Sequence, residues 1–104
     1  RLMKSARLPT LSAKERIVLE LLVSSGGKYG LQLVDESCGR LKRGTVYVTL
    51  GRMEQKGLVE SHHEPATRDA DALTRRMYHA TGHGRRVLDA WTMVARTFSL
   101  EPGR

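Results

Sequence analysis

The sequence has little cysteine, few aromatic residues and no long apolar run. One of its 104 residues is cysteine, Cys38, so the chain can form neither an intrachain disulfide nor a zinc site built from several cysteines. Aromatic residues make up 5%, which predicts a small, mainly aliphatic core. No apolar stretch approaches the roughly 20 residues that span a bilayer, and we find no signal-peptide pattern. We therefore expect one small cytoplasmic domain, not a secreted disulfide scaffold or a membrane protein.

Positive charge is what the sequence has in excess. Lys and Arg number 18 against 11 Asp and Glu, which gives a formal net charge of +7. Residues 1–16 and 40–56 each carry five cations and one acid. Such a run can be no more than a solvated face, but most of these cations are arginines, which suit bidentate contacts with phosphate and guanine. An anionic partner is the first expectation.

The spacing of apolar residues predicts four helices and a two-stranded hairpin. Ser12 and Glu15 have the spacing of a capping box, and Val46, Leu50 and Met53 form a narrow apolar stripe in the third helix. The predicted elements are a helix that follows Ser12 and ends at Gly26–Gly27, a helix from Tyr29–Gly30 to Cys38–Gly39, a helix from about Arg43 to Lys56, strands over 58–64 and 76–81 around a polar loop, and a helix from about Gly84 to Ser99. This order is that of a winged helix-turn-helix domain, mainly α with a small β-hairpin.

Four blocks of the sequence stand in the order and spacing of a known family. They are Tyr-Gly-Leu-Gln-Leu at 29–33, Gly-Thr-Val-Tyr-Val-Thr-Leu at 44–50, Met-Glu-Gln-Lys-Gly-Leu-Val at 53–59 and Tyr-His-Ala-Thr-Gly-His-Gly-Arg at 78–85. Together they resemble the PadR-like transcriptional regulators. The chain departs from that pattern at Val48, where proline is common, and at Ala80, where leucine is usual. The resemblance implies a homodimeric DNA-binding repressor whose terminal helix mediates dimerisation.

The outer side of the third helix is the candidate DNA-binding surface. Steps of 100° per residue from the apolar stripe place small and polar residues on that side. They are Gly44, Thr45, Val48, Gly51, Arg52 and Gln55. Thr45, Arg52 and Gln55 are of types that contact base edges. Lys42 and Arg43 are predicted at the helix N-terminus, where the dipole favours phosphate.

Two further features are candidates for DNA contact. Tyr47 lies at the border of the apolar stripe, where its ring could simply pack, but the family resemblance favours a hydroxyl that contacts phosphate. In the loop between the strands, Arg68, Arg75 and Arg76 are predicted to reach an adjacent minor groove or its phosphates. Two aspartates in the same loop oppose that contact.

The last helix has a wider apolar stripe than one small core requires. We predict that one edge of the stripe packs on the first helix and that the remainder faces a second copy across a two-fold axis. The predicted dimerisation residues are Val87, Leu88, Trp91, Val94 and Phe98. Trp91 is a packing residue by default, and the resemblance permits a role in binding a flat, hydrophobic effector.

These features predict a basic N-terminal arm over 1–9, a winged-helix DNA-binding domain over 10–81, and a C-terminal dimerisation helix and tail over 82–104. The expected function is sequence-specific transcriptional regulation, as a homodimeric repressor on a near-palindromic operator. The alternatives are a winged-helix module for protein interaction and a small-molecule sensor without an operator.

No cofactor, metal or membrane partner is expected, and the chain shows no phosphate-binding loop, nucleophile motif or carboxylate pair typical of an enzyme. The four histidines could gather if the strands pair, and three imidazoles would suit zinc or nickel. Neighbouring side chains on a strand point to opposite faces, however, so exposed polar histidines are the expectation.

Overall fold

The computed structural model describes residues 10–63 and 76–99, without the side chains of residues 97–99. Its elements are helix α1 (Ala13–Ser25), strand β1 (Lys28–Tyr29), helices α2 (Gly30–Glu36) and α3 (Val46–Gln55), strands β2 (Val59–His63) and β3 (Arg76–Ala80), and helix α4 (Gly82–Ser99). Four predicted features lie outside the described residues: the arm over 1–9, the side chains of Arg68 and Arg75, the side chain of Phe98, and the tail beyond residue 99.

Helix α1 begins where the capping box predicts. The Ser12 hydroxyl accepts a hydrogen bond from the Glu15 N–H at 3.2 Å, and the Glu15 carboxylate accepts one from the Ser12 N–H at 2.9 Å. Two orphan N–H groups of the helix start are thereby satisfied. The helix ends at Gly26, whose φ of 86° is a conformation that favours glycine.

The sheet has three antiparallel strands in the order β1-β3-β2. The predicted hairpin is confirmed, with Val59 opposite Ala80 and His63 opposite Arg76. The prediction of only two strands is wrong, because Lys28 pairs with Tyr78 and adds β1 to the free edge of β3. This short strand holds the start of α2 against the hairpin.

The turn between α2 and α3 is longer than predicted. Cys38 and Gly39 have φ values of 56° and 89°, so the chain leaves the helical conformation after Glu36. The Lys42 carbonyl then accepts hydrogen bonds from the N–H groups of Thr45 and Val46, which closes a turn ahead of α3. Residues 42–45 therefore precede α3, and the predicted helix start near residue 43 is three residues too early.

The buried core lies between the helices and one face of the sheet. The predicted stripe of α3 is confirmed, and the Thr49 side chain is buried beside it. The core cluster consists of Val18, Leu19, Leu22, Leu33, Leu41, Val46, Leu50, Met53, Leu58, Val59, Tyr78, Val87 and Leu88. In the described ranges, no helix is long and apolar enough to cross a membrane.

The start of helix α4 packs against the residues that directly follow α3. The Thr81 hydroxyl donates to the Gly57 carbonyl at 2.6 Å and accepts from the N–H of Gly84 at 2.9 Å. A Cβ at Gly84 would overlap the Leu58 carbonyl, so only glycine allows the helix to come this close. The start of α4 is thus fixed relative to α3.

Candidate nucleic-acid interface

The outer side of α3 carries the predicted contact residues at the surface. Thr45, Val48, Arg52 and Gln55 are exposed, while the opposite side of the helix is in the core. Val48 is 59% exposed, which is a large fraction for an apolar side chain. The structure thus brings together four of the predicted residues on one accessible surface.

Two glycines leave open space beside these side chains. A Cβ built at Gly44 or at Gly51 would have no other heavy atom within 4 Å. Gly44 lies in the turn before α3 and Gly51 lies within the helix. A partner could approach the backbone closely at both places, because no side chain stands in the way.

Exposed cations flank this surface. Lys42 and Arg43 project from the turn before α3, and Arg52 lies on the outer side of the helix. In the parts of the chain that the structure describes, ion pairs involve Arg16, Lys28 and Lys56 and none includes these three cations. Their charge is available to an anion at the surface.

Lys56, at the end of α3, has its charge balanced within the protein. The buried Glu15 carboxylate, 1% exposed, lies 2.9 Å from the Lys56 ammonium. Burial raises the pKa of Glu15, but the Ser12 N–H, the Lys56 ammonium and the charge of Arg52 bring that pKa below its ordinary value. Lys56 also donates to the Thr10 carbonyl and so fixes the end of α3 to the start of α1.

The structure places the Tyr47 hydroxyl in the interior. The oxygen has almost no accessible surface, and the ring lies against Gly30, where a Cβ would come within 2.6 Å of it. The hydroxyl is therefore not at the surface of the chain alone, and its contact with phosphate stays a prediction. The sequence does not identify Tyr47 as the neighbour of Gly30, because no spacing rule connects residues of two different helices.

Arg76, the first residue of β3 and so the base of the wing formed by β2, β3 and the loop between them, is linked to α3 through two side chains. Its Nη1 donates to the Ser61 hydroxyl at 3.2 Å, and that hydroxyl donates to the Glu54 carboxylate at 2.6 Å. The adjacent Tyr78 is buried, which together with the charge of Glu54 raises the pKa of its phenol. Arg76 thus also supports the start of β3, besides its predicted contact with DNA, and no sequence pattern connects it with Glu54.

The histidines do not form a chelating cluster in the described ranges. His62 and His79 stack with ring centroids 5.2 Å apart and planes inclined by 17°, on the sheet face away from the core. No three metal-ligating side chains are grouped in this part of the chain.

The apolar stripe of α4 divides into a covered half and an open half. Val87 and Leu88 are 4% and 7% exposed, so the protomer's own core already covers most of the surface of these two predicted dimerisation residues. Trp91 is half-buried and packs against that core, and Val94 is also half-buried. Met93 is 62% exposed but lies about 160° around the helix from Trp91.

Solved structures with this arrangement are winged-helix transcription regulators, which confirms the predicted fold class. A PadR family transcription regulator from hypervirulent Clostridium difficile is 25% identical, with a TM-score of 0.67 over 81% of this chain and 88% of that one. BpsR of Bordetella bronchiseptica, described as regulated in DNA binding by 6-hydroxynicotinic acid, is 20% identical, with a TM-score of 0.71 over 93% and 64%. PcaV of Streptomyces coelicolor, solved with its natural ligand, is 23% identical, with a TM-score of 0.67 over 82% and 56%.

The model of the PadR-like family of transcriptional regulators matches residues 18–90. The chain belongs to this family, as its four sequence blocks predict. The matched region runs from α1 through the candidate interface into α4. Among curated protein sequences, none matches the chain significantly.

Proposed function

We propose that the protein binds double-stranded DNA sequence-specifically by placing the outer side of α3 in the major groove. The observation that carries this proposal is the exposed, cation-flanked and glycine-bordered surface of that helix. An α-helix fits the major groove, where base edges present a distinct pattern for each base pair. The family to which the chain belongs supports a regulator that works in the cytoplasm by binding, without catalysis.

The contact residues fall into two groups in this proposal. Arg52 and Gln55 lie on the outer side of the helix, Thr45 directly precedes its first residue, and all three reach base edges. Lys42 and Arg43 precede the helix and bind phosphates of the backbone, where the positive end of the helix dipole adds to their charge. In the wing, Arg68 and Arg75 extend the contact to the adjacent minor groove, and Arg76 supports the base of the wing.

The proposed active form is a homodimer joined through the open half of the α4 stripe. Trp91 and Val94 are half-buried in the single chain, so a second copy would cover apolar surface there. A two-fold axis would present two α3 helices to successive major grooves, about 34 Å apart. We infer a near-palindromic operator and, by competition with transcription from it, repression.

A flat, hydrophobic effector is a further part of the proposal. Trp91 lies where the covered and open halves of the α4 stripe meet, and an aromatic ring at a dimer centre can stack on such a compound. PcaV is described with its natural ligand and BpsR as regulated by 6-hydroxynicotinic acid, which supports this idea by analogy alone.

The salt dependence of binding tests DNA recognition against the alternatives. Binding of the wild-type protein to a duplex that carries its own promoter region is measured by fluorescence anisotropy at several salt concentrations. Neutralised phosphates release counterions, so we expect log affinity to fall steeply with log salt. A protein-interaction module or a sensor without an operator would bind no duplex at low salt, and that result would overturn the proposal.

Variants then separate the two groups of contacts. Arg43→Ala should weaken all duplexes about equally and reduce the salt slope by roughly one, whereas Arg52→Ala should cost about 1–3 kcal/mol of discrimination between sequences. Arg52→Lys keeps the charge but loses the two parallel hydrogen bonds of the guanidinium. It should therefore keep the slope of log affinity against log salt and lose discrimination between DNA sequences. Arg96→Ala, which removes an exposed cation from the last turn of α4, is the control and should change neither quantity.

A further inference from the structure

We propose that Val48 reads the C5-methyl group of a thymine in the major groove. This inference rests on the proposed function and deepens it, because it names one base that the α3 surface selects. Val48 and Met93 are the exposed large apolar side chains in the described part of the chain. Only Val48 lies on the surface that faces the proposed duplex.

Val48 lies on the side of α3 opposite the buried stripe. It is two residues from both Val46 and Leu50, which are buried, so it lies about 200° around the helix from each. One turn later Gly51 adds no side chain beside it, and a Cβ there would meet open space. The valine methyls are therefore accessible on the side that faces Gly51.

The chemistry of this surface indicates which group the Val48 methyls contact. A valine side chain neither donates nor accepts a hydrogen bond, and its β-branch restricts its rotamers, so it presents a nearly fixed apolar contact. In the major groove, the thymine methyl is the apolar group that distinguishes one base from the others. The exposed cations Lys42, Arg43 and Arg52 around Val48 favour a polyanion over an apolar protein surface.

The test removes the methyl from the DNA and from the protein separately. The preferred duplex is first selected with wild-type protein from a library with a randomised core. Each thymine in the selected site is then replaced singly by deoxyuridine, which lacks the methyl and keeps the hydrogen-bonding groups. For wild-type protein we expect about a fourfold loss of affinity at one thymine in each half-site, which corresponds to about 0.8 kcal/mol for one buried methyl group.

Val48→Ala should bind the thymine and deoxyuridine duplexes equally at that position. Gln55→Ala, on the same side of the helix, is the control and should keep the wild-type ratio even if its overall affinity falls. Wild-type protein that binds the selected duplex but tolerates deoxyuridine at every position would overturn the inference and leave the proposed function intact. A loss that persists in Val48→Ala would also overturn it, because the effect would then come from another side chain or from DNA shape. If the wild-type protein selects no duplex, the proposed function fails and this inference fails with it.

Discussion

At the scale of single residues, Gly30 and Tyr47 illustrate how two helices share one space. Gly30 opens α2, and the Tyr47 ring from the first turn of α3 occupies the place that a side chain at position 30 would need. The contact fixes the two helices of the helix-turn-helix at a short distance. It also explains why a glycine stands at position 30, although alanine is the better helix former.

We predict that Gly30→Ala destabilises the protein by about 1–3 kcal/mol, because the new methyl overpacks against the Tyr47 ring. Tyr47→Leu removes the ring atoms that the methyl would meet, so Gly30→Ala should cost clearly less in that background. Urea unfolding of the four proteins of this double-mutant cycle measures the coupling. Equal costs in both backgrounds would show that the clash lies elsewhere.

The buried Glu15 carboxylate makes stability depend on pH. Its pKa is lower in the folded chain than its ordinary value of 4.5, so the unfolded chain takes up the proton first as pH falls. The stability that this group contributes is therefore present above about pH 4.5 and is lost as pH falls through the folded pKa. We predict that Glu15→Gln is less stable than wild type near neutral pH and that the difference shrinks in acid.

Thermal unfolding of both proteins across the acid range measures this effect. Glu20→Gln is a matched control, since Glu20 lies on the same helix in an exposed pair with Arg16 at 3.5 Å and should contribute little. Lys56→Met should destabilise more near neutral pH than in acid, because protonated Glu15 no longer needs a cation. A difference between Glu15→Gln and wild type that is independent of pH would contradict the assignment.

At the scale of elements, Gly84 and Gly51 should respond in opposite ways to the same substitution. Gly84→Ala places a methyl against the Leu58 carbonyl, which belongs to the backbone and cannot turn aside. We expect a loss of at least about 2 kcal/mol and separation of the start of α4 from α3. Gly51→Ala enters open space within α3 and should stabilise the protein by about 0.5–1 kcal/mol.

Gly51→Ala also connects stability with function. If α3 enters a groove at Gly51, Gly51→Ala should weaken DNA binding while it raises the midpoint of urea unfolding. Anisotropy and unfolding measurements on one preparation check both effects. A Gly51→Ala protein that is more stable and binds DNA as tightly as wild type would show that the backbone is not approached there.

Helix ends could be predicted only where the sequence supplies a local signal. Ser12 and Glu15 fix the start of α1 through hydrogen bonds three residues apart, and the spacing is visible in the sequence. The start of α3 has no such signal, because the capping residue Thr45 makes no side-chain cap. The turn before it is set instead by the Lys42 carbonyl and by Leu41, which is buried in the core.

At the scale of the whole molecule, the features that the sequence did not predict depend on contacts between residues far apart in the chain. Strand β1 has two residues, too few to show a period, and exists because β3 offers a free edge. The Tyr47 hydroxyl is buried by a residue of another helix, and Val87 and Leu88 are covered by the chain's own core. The outer side of α3 was predictable because helical geometry alone determines which residues lie opposite the apolar stripe.

The last prediction concerns assembly through α4. Val94 lies on the half-buried stripe, whereas its neighbour Met93 is exposed on another side of the helix. Substitution by lysine at each position therefore places the same charge on the stripe and away from it. We expect the wild-type protein to be a dimer, Val94→Lys to be a folded monomer with weaker DNA binding, and Met93→Lys to remain a dimer. A lysine on the stripe must be desolvated in a dimer, whereas one at position 93 stays in water.

Sedimentation over a range of micromolar concentrations distinguishes these states, and circular dichroism establishes that each variant is folded. Trp91→Ala is less informative, because Trp91 also packs against the protomer's own core and its removal affects folding and assembly together. A dimer lost in Met93→Lys and kept in Val94→Lys would move the interface to the other side of α4. Wild-type protein that stays monomeric at the highest concentration would refute the two-fold arrangement, whether or not it binds DNA. Two α3 helices could then reach successive major grooves only after DNA had brought the two chains together.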